Sequence, residues 1–197
     1  MTETKKIFVV SDVRGCLETL RTALFEADFD INSDSHVLVC CGDLFDENGD
    51  NDALCEFLDG VKNKILILGD TDEDLRKRAD LPQKMQAILS VMKNYLETER
   101  YVFVHGWIPE RSDFANETAW QKTRAVGWND FYGENTTLPE KTIVCGHIPT
   151  RAAYAFADDW NLSDSGIYRG ESMIAIRSGA EAWGKINVLV LEERMDV

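Results

Sequence analysis

Five short apolar runs punctuate the chain, and each one stops at an Asp or a His. Ile7-Phe8-Val9-Val10 runs into Ser11-Asp12, and Val37-Leu38-Val39-Cys40-Cys41 into Gly42-Asp43. Ile65-Leu66-Ile67-Leu68 runs into Gly69-Asp70, Tyr101-Val102-Phe103-Val104 into His105-Gly106, and Thr142-Ile143-Val144-Cys145 into Gly146-His147. Continuous runs of this kind, rich in β-branched residues, predict strands covered on both faces. Between the first three, apolar residues recur at helical spacing: Leu17, Leu20, Ala23 and Leu24, then Leu54, Phe57, Leu58 and Val61. The alternation predicts strand–helix–strand units and an α/β fold. A further helix is predicted after Leu81-Pro82, with Met85, Ile88, Leu89, Met92 and Leu96 on its core face. Ala119 to Tyr132, carrying Trp120, Trp128, Phe131 and Tyr132, predicts a second helical or mixed segment whose aromatics pack. Strands are predicted at Ala153–Phe156, Met173–Ile176 and Asn187–Leu191. No repeat or linker divides the chain, so residues 1–197 read as one domain.

In open α/β sheets, ligands bind beyond the carboxyl ends of the strands. A single Asp after a strand is an ordinary turn former. Five strand ends that each deliver Asp or His, mostly beside a Gly that permits a tight turn, predict one convergent site. His36 opens a strand and fits no such pattern, so it reads as a surface or capping residue. Tyr95 and Trp107 read as packing.

The chain has 197 residues, 44% of them hydrophobic, enough for a proper core. No apolar stretch approaches the ~20 residues of a membrane span, and the run at Ile7–Val10 is too short for a signal peptide. Five cysteines, without C-x-x-C pairing and partly embedded in apolar runs, argue against a disulfide scaffold. A reducing, cytoplasmic setting is expected. The net charge of −14 would repel a phosphate-rich polymer, which disfavours general nucleic-acid binding.

The ordered series Asp12-Val13-Arg14-Gly15, Gly42-Asp43-Leu44-Phe45-Asp46, Gly69-Asp70-Thr71-Asp72, His105-Gly106 and Gly146-His147-Ile148-Pro149 resembles the motif set of calcineurin-like metallophosphoesterases. The nearest likeness is to the bacterial serine/threonine-phosphatase-like branch, which includes relatives that hydrolyse diadenosine tetraphosphate. The segments Ile167 to Gly179 and Gly184 to Leu191 are similar to that branch's C-terminal strands. The resemblance implies an αββα sandwich of two mixed β-sheets flanked by helices. It also implies two metals bridged by Asp43. Asp12 and position 14 would complete the first site, and Asp70, His105 and His147 the second. Position 71 would be the general acid. Such a centre clamps an in-line displacement, and the ligand types suit manganese, iron or zinc.

The sequence departs from that pattern where chemistry matters. Position 14, His in the family, is Arg14, which keeps its proton and cannot ligate in the ordinary way. Position 70, Asn in the family, is Asp70, and the family's catalytic His is replaced by Thr71, whose hydroxyl is no acid near neutral pH. The phosphate-binding Arg expected after Asp46 is missing, Glu47-Asn48-Gly49 standing there instead, and Arg177 stands where relatives often carry Asp. Two readings of Arg14 follow. Its guanidinium fills the first metal's place between Asp12 and Asp43, leaving one ion on Asp43, Asp70, His105 and His147; or it points to solvent and both sites are weak or empty. Arg111, Arg124, Arg151 and Arg169 are candidate phosphate contacts, none of them assigned. Three functions compete: a degenerate phosphatase that binds a metal and a phosphorylated small molecule or phosphoprotein, a single-metal phosphoesterase of activated esters, pyrophosphate linkages or diesters, and an acidic interaction module for an unidentified protein partner.

Overall fold

A computed structural model describes residues 3–128, 140–156 and 166–195. Two sheets face each other. The first runs β3 (Lys64–Ile67), β2 (His36–Cys41), β1 (Glu3–Val10) and β9 (Leu189–Met195). Within it β1 is parallel to β2 and β2 to β3, while β9 returns antiparallel to β1, pairing Leu191 with Ile7. The second runs β4 (Leu96–Glu97), β5 (Tyr101–Phe103), β6 (Thr142–Cys145), β8 (Met173–Ala175) and β7 (Tyr168–Arg169), with antiparallel strands at both edges.

Period-two alternation sorts the strand residues into two cores. Ile7, Val9, Val37, Val39, Cys41 and Ile67 face Phe103, Val144 and Ile174 across the middle of the sandwich. Phe8, Val10, Leu38 and Cys40 face outward onto three helices: α1 (Leu17–Glu26), α2 (Asn51–Gly60) and α4 (Gln83–Val91). On the far side, Val102, Val104, Ile143 and Cys145 pack on Trp120 of α5 (Glu117–Arg124) and Ala153 of α6 (Thr150–Phe156). Helices therefore cover both outer faces, giving the α/β sandwich of two mixed sheets that the motif order implied. Burial on both faces is why the strands read as unbroken apolar runs rather than alternating ones.

Several boundaries differ from the sequence reading. Ala153–Phe156 is helical, within α6, because Pro149 opens the turn, with Ala152 N–H bonding the Pro149 carbonyl at 2.9 Å, and alanines then favour helix. The helix carrying Met85 stops at Val91 rather than reaching Leu96. Past it, Lys93 exchanges backbone hydrogen bonds with Leu66 and Leu68 at 2.9 and 2.8 Å, sealing the open edge of β3, and Leu96 enters β4. The segment predicted from Ala119 onward is α5 only, capped by the Asn116 side chain on Thr118 N–H. Trp128 is buried as expected, and Phe131 and Tyr132 lie outside the described residues. The last strand begins at Leu189, two residues later than read, since Asn187 turns its buried amide to the Ile176 carbonyl. His36 opens β2 and accepts Asp30 N–H at Nδ1. Tyr95 stacks on Trp120, and Trp107 is buried in the outer core.

A short helix, α3 (Asp70–Arg76), carries a site residue at its first position and is tied down from behind. Glu73 is nearly buried and takes a charge-assisted hydrogen bond from Arg124 of α5, whose other nitrogen reaches Asn94. Arg124 is only 3% exposed, so it is a structural clasp and not a phosphate contact. Removing one partner of a buried pair strands the other charge, at a typical cost of about 3–5 kcal/mol. Arg124→Ala is therefore expected to lower the unfolding free energy by roughly 3 kcal/mol or more in a urea titration; a loss under about 1 kcal/mol would show that the clasp does not hold α3.

Candidate metal and phosphoester site

The strand ends named by the sequence meet along one rim of the sandwich. Asp12 follows β1, Asp43 follows β2, Asp70 follows β3, His105 follows β5 and His147 follows β6. Their approach requires unusual backbone. Asp12, Arg14, Asp43 and His147 all have φ between 49° and 59°, the left-handed region that non-glycine residues avoid at a cost of about 1–2 kcal/mol each. Gly42 and Gly69 make the crowding possible: a Cβ on the first would run into the His105 imidazole, and on the second into the Asp43 carboxylate. Behind them Asp72, fully buried, accepts N–H groups of Leu44, Phe45 and Gly69 at 3.3, 3.2 and 3.1 Å, clamping the Asp43 loop to the Asp70 loop. Burial and the charge of Asp43 push the Asp72 carboxyl up to about 6, against those hydrogen bonds.

Two groups of donors emerge. In the first, Asp70 Oδ1, His105 Nε2 and His147 Nδ1 form a triangle with sides of 2.9, 3.4 and 3.2 Å. Donor atoms around one transition-metal ion with bonds of about 2.0–2.2 Å lie about 3–3.5 Å apart, so these three fit an ion. The tautomer agrees. His105 Nδ1 lies 2.9 Å from the Cys41 carbonyl, an acceptor only, so Nδ1 carries a proton and Nε2 turns its lone pair toward Asp70 and His147. Lone pairs converging on a carboxylate need a cation between them. Without a metal a proton serves: burial lowers the His105 pKa, but Asp43, Asp70 and Asp12 outweigh it and raise it to about 9. Burial likewise works against ionised Asp70, yet the two imidazoles hold its carboxyl far below the usual range.

In the second group, Asp12, Asp43 and His105 lie close enough to offer three donor atoms, all buried. Here the space is already charged. Arg14 Nη2 is 2.5 Å from Asp43 Oδ2, and its Nη1 is 3.4 Å from Asp46 Oδ2. The guanidinium points inward, as one of the two sequence readings has it, but it spans Asp43 and Asp46 rather than Asp12 and Asp43. Asp12 has a different partner, which the sequence reading passed over: Arg177 Nη1, 3.3 Å from Asp12 Oδ1. The same Arg177 donates to the His147 carbonyl and, at 2.7 Å, to Glu181 of α7 (Ala180–Trp183). The remaining Asp12 oxygen accepts from Ser11 Oγ and from His147 N–H.

Asp43 is saturated. Besides Arg14, it accepts the Thr71 amide at 3.0 Å and the Thr71 hydroxyl at 3.1 Å. Thr71 thus turns toward Asp43 as a hydrogen-bond donor. Burial raises the Asp43 pKa, while His105 and Arg14 pull the other way. Arg14 is itself raised, the surrounding carboxylates, Asp43 foremost, outweighing its burial. Asp43 groups with Asp12 and His105 rather than with Asp70 and His147, its Oδ1 lying 3.6 Å from His105 Nε2. Of the other arginines, Arg111 pairs with Glu97 on the surface and Arg151 stacks 4.1 Å over Trp183. Glu47 is engaged by Arg78 at 2.7 Å. A cavity of about 660 Å³ lined by Trp107, Arg111, Phe114 and Lys122 contains none of the site residues. One of about 550 Å³ beside the Asp46 loop is walled by Glu47, Asp50 and Asp52. All five cysteines are free.

No curated protein matches the sequence. Among solved structures, a putative diadenosine tetraphosphatase superposes with a TM-score of 0.65 at 16% identity, covering 98% of this chain and 95% of its own. A cold-active protein-tyrosine phosphatase of the psychrophile Shewanella sp. gives 0.63 at 16% identity, with 95% of this chain and 75% of that one covered. A metallophosphoesterase from Sphaerobacter thermophilus gives 0.53 at 14% identity, covering 97% and 88%. At such identities the likeness is one of fold. The family itself, which uses divalent metal ions, is fixed by the match of the calcineurin-like phosphoesterase profile to residues 5–175: the chain belongs to the calcineurin-like phosphoesterases.

Proposed function

We propose that this protein binds one divalent transition metal, manganese, iron or zinc, on Asp70, His105 and His147, and binds phosphate esters there with hydrolysis impaired relative to a two-metal phosphatase. The observation that carries the reading is the 2.9–3.4 Å donor triangle standing beside a second carboxylate pair already occupied by guanidinium groups. A bound ion would supply Lewis acidity and lower the pKa of coordinated water. The chain's own residues do the rest. His105 is oriented by the Cys41 carbonyl, Asp70 keeps its negative charge, and Arg14 keeps a fixed positive charge at the rim. Thr71 holds Asp43, and its hydroxyl is too weak an acid to protonate a leaving oxygen near neutral pH, a loss typically worth about 10²–10⁴-fold. Substrates whose leaving group needs no proton, such as aryl phosphates, pyrophosphate linkages or certain diesters, suffer least. A donor set of three rather than four is the kind found at catalytic rather than structural zinc, which favours residual turnover as the second reading. The acidic groove beside Asp46 opposes nucleic-acid polymers and leaves a phosphorylated small molecule or a phosphoprotein as the ligand class. No helix among the described residues is long and apolar enough to cross a membrane. The five free cysteines are the ground on which we place the protein in the cytoplasm.

Elemental analysis of chelator-free protein is expected to find one ion per chain, and His147→Ala to lose it; tight binding by the His147→Ala protein would sink the assignment. Because His105 is raised to about 9, above its ordinary 6.5, its extra proton stabilises the metal-free fold fully below about pH 6.5, and the gain, about 3 kcal/mol at most, disappears as pH rises through 9. That proton competes with the ion, so metal affinity should climb by up to about tenfold per pH unit between roughly 6.5 and 9. A flat calorimetric profile over that range would contradict the proton–metal exchange. Thr71→His should raise turnover of alkyl phosphates by about 10-fold or more while changing aryl phosphate turnover little; an unchanged alkyl-to-aryl ratio would show that the missing acid is not what limits hydrolysis.

A further inference from the structure

We infer that Arg14 and Arg177 together replace the first metal ion, two guanidinium charges standing for one divalent cation, with Glu181 as the anchor that holds both. Arg14 pairs with Asp43 at 2.5 Å and Arg177 with Asp12 at 3.3 Å, one arginine for each buried carboxylate. Both carboxylate side chains are 0% exposed, while the arginine side chains are 18% and 15% exposed, so the pairs form at the inner wall of the site. Glu181 Oε1 takes a hydrogen bond from Arg177 at 2.7 Å and lies 4.0 Å from Arg14 Nε, bringing the two side chains to one carboxylate.

The fit to a metal ion fails at this position for a physical reason. An ion placed between Asp12 and Asp43 would face two fixed positive charges within a few ångströms, and neither guanidinium can shed its proton. Nor can the arginines leave cheaply, because Arg177 also binds the His147 carbonyl and Arg14 also binds Asp46. Asp12 Oδ1 is buried and accepts no hydrogen bond, so Arg177 serves it by charge alone, as an ion would. Glu181 follows Arg177 by four residues, so the pair spans the turn into α7.

This deepens the single-ion reading and relies on it for the ion count of the natural chain. The test is Mn(II) titration of the full chain and of Arg14→His/Arg177→Gln, followed by elemental analysis and electron paramagnetic resonance. The natural chain is expected to hold one ion with an isolated-ion spectrum, and the double variant two ions with the spectrum of an exchange-coupled pair. A folded double variant that still holds one ion overturns the inference and leaves the single-ion reading standing. No ion in the natural chain and one in the double variant sinks the single-ion reading and supports the inference. If the double variant does not fold, the natural chain decides: a coupled spectrum at excess Mn(II) overturns the inference, and an isolated one at every ratio upholds it.

Discussion

Two carboxylates, Asp12 and Asp43, are buried at the carboxyl ends of adjacent parallel strands, and the rest of the site is organised by their need for positive charge. A buried carboxylate without a counter-charge is too costly to keep ionised. In a metal-loaded phosphoesterase the ions answer that need. Here protein side chains answer it, and because a guanidinium is always charged the answer is permanent. Arg14 sits two residues beyond Asp12 in the same turn, but reaches across to Asp43 and Asp46; Arg177, beyond the end of β8, reaches Asp12. The Asp12 and Asp43 loops are each held through charge, while the Asp72 clamp ties the Asp43 loop to the Asp70 loop.

The balance differs a few ångströms away. The side chains of Asp70, His105 and His147 have no guanidinium partner among the described residues, and their donor atoms face one another. A proton or a metal ion must mediate there, and the choice depends on pH and metal supply. Asp at position 70 gives this group a negative charge that an uncharged amide would lack, which strengthens its attraction for a cation. The site is thus split into a half with a fixed cation and a half with an exchangeable one. On the proposed single-ion reading, Lewis-acid capacity is kept at one position without the symmetric clamp that a pair of ions provides.

Much of this was legible in the sequence because strand ends are marked strongly. An apolar β-branched run that stops at Gly-Asp or Gly-His identifies both the element and its terminal ligand, which is why Asp12, Asp43, Asp70, His105 and His147 could be named together. What could not be read was which carboxylate each arginine would find. Arg14 is close to Asp12 in the chain, yet the left-handed backbone at Asp12, Arg14 and Asp43 turns it toward Asp43 and Asp46, and chain proximity gives no hint of that. Arg177 was visible as an odd residue, and Glu181 four positions on was the available sign that it is held. The helix at Thr150–Phe156 was read as a strand because its short apolar run looks alike in either state, and the Pro–Thr start that decides the matter lies outside the run.

The same charge logic explains why Thr71 is compatible with this site. With Arg14 on one side of Asp43 Oδ2, the carboxylate still offers acceptor capacity that a bridging role between two ions would have used. The Thr71 hydroxyl and amide take it up, at 3.1 and 3.0 Å, closing the first turn of α3 onto the strand-end carboxylate. An imidazole at position 71 would remove the hydroxyl bond, leaving Oδ2 with Arg14 and Oδ1 with the backbone amide of residue 71. On the proposed reading, in which a guanidinium stands in for the ion at Asp43, the small donor at position 71 adds a third hydrogen bond to a buried carboxylate.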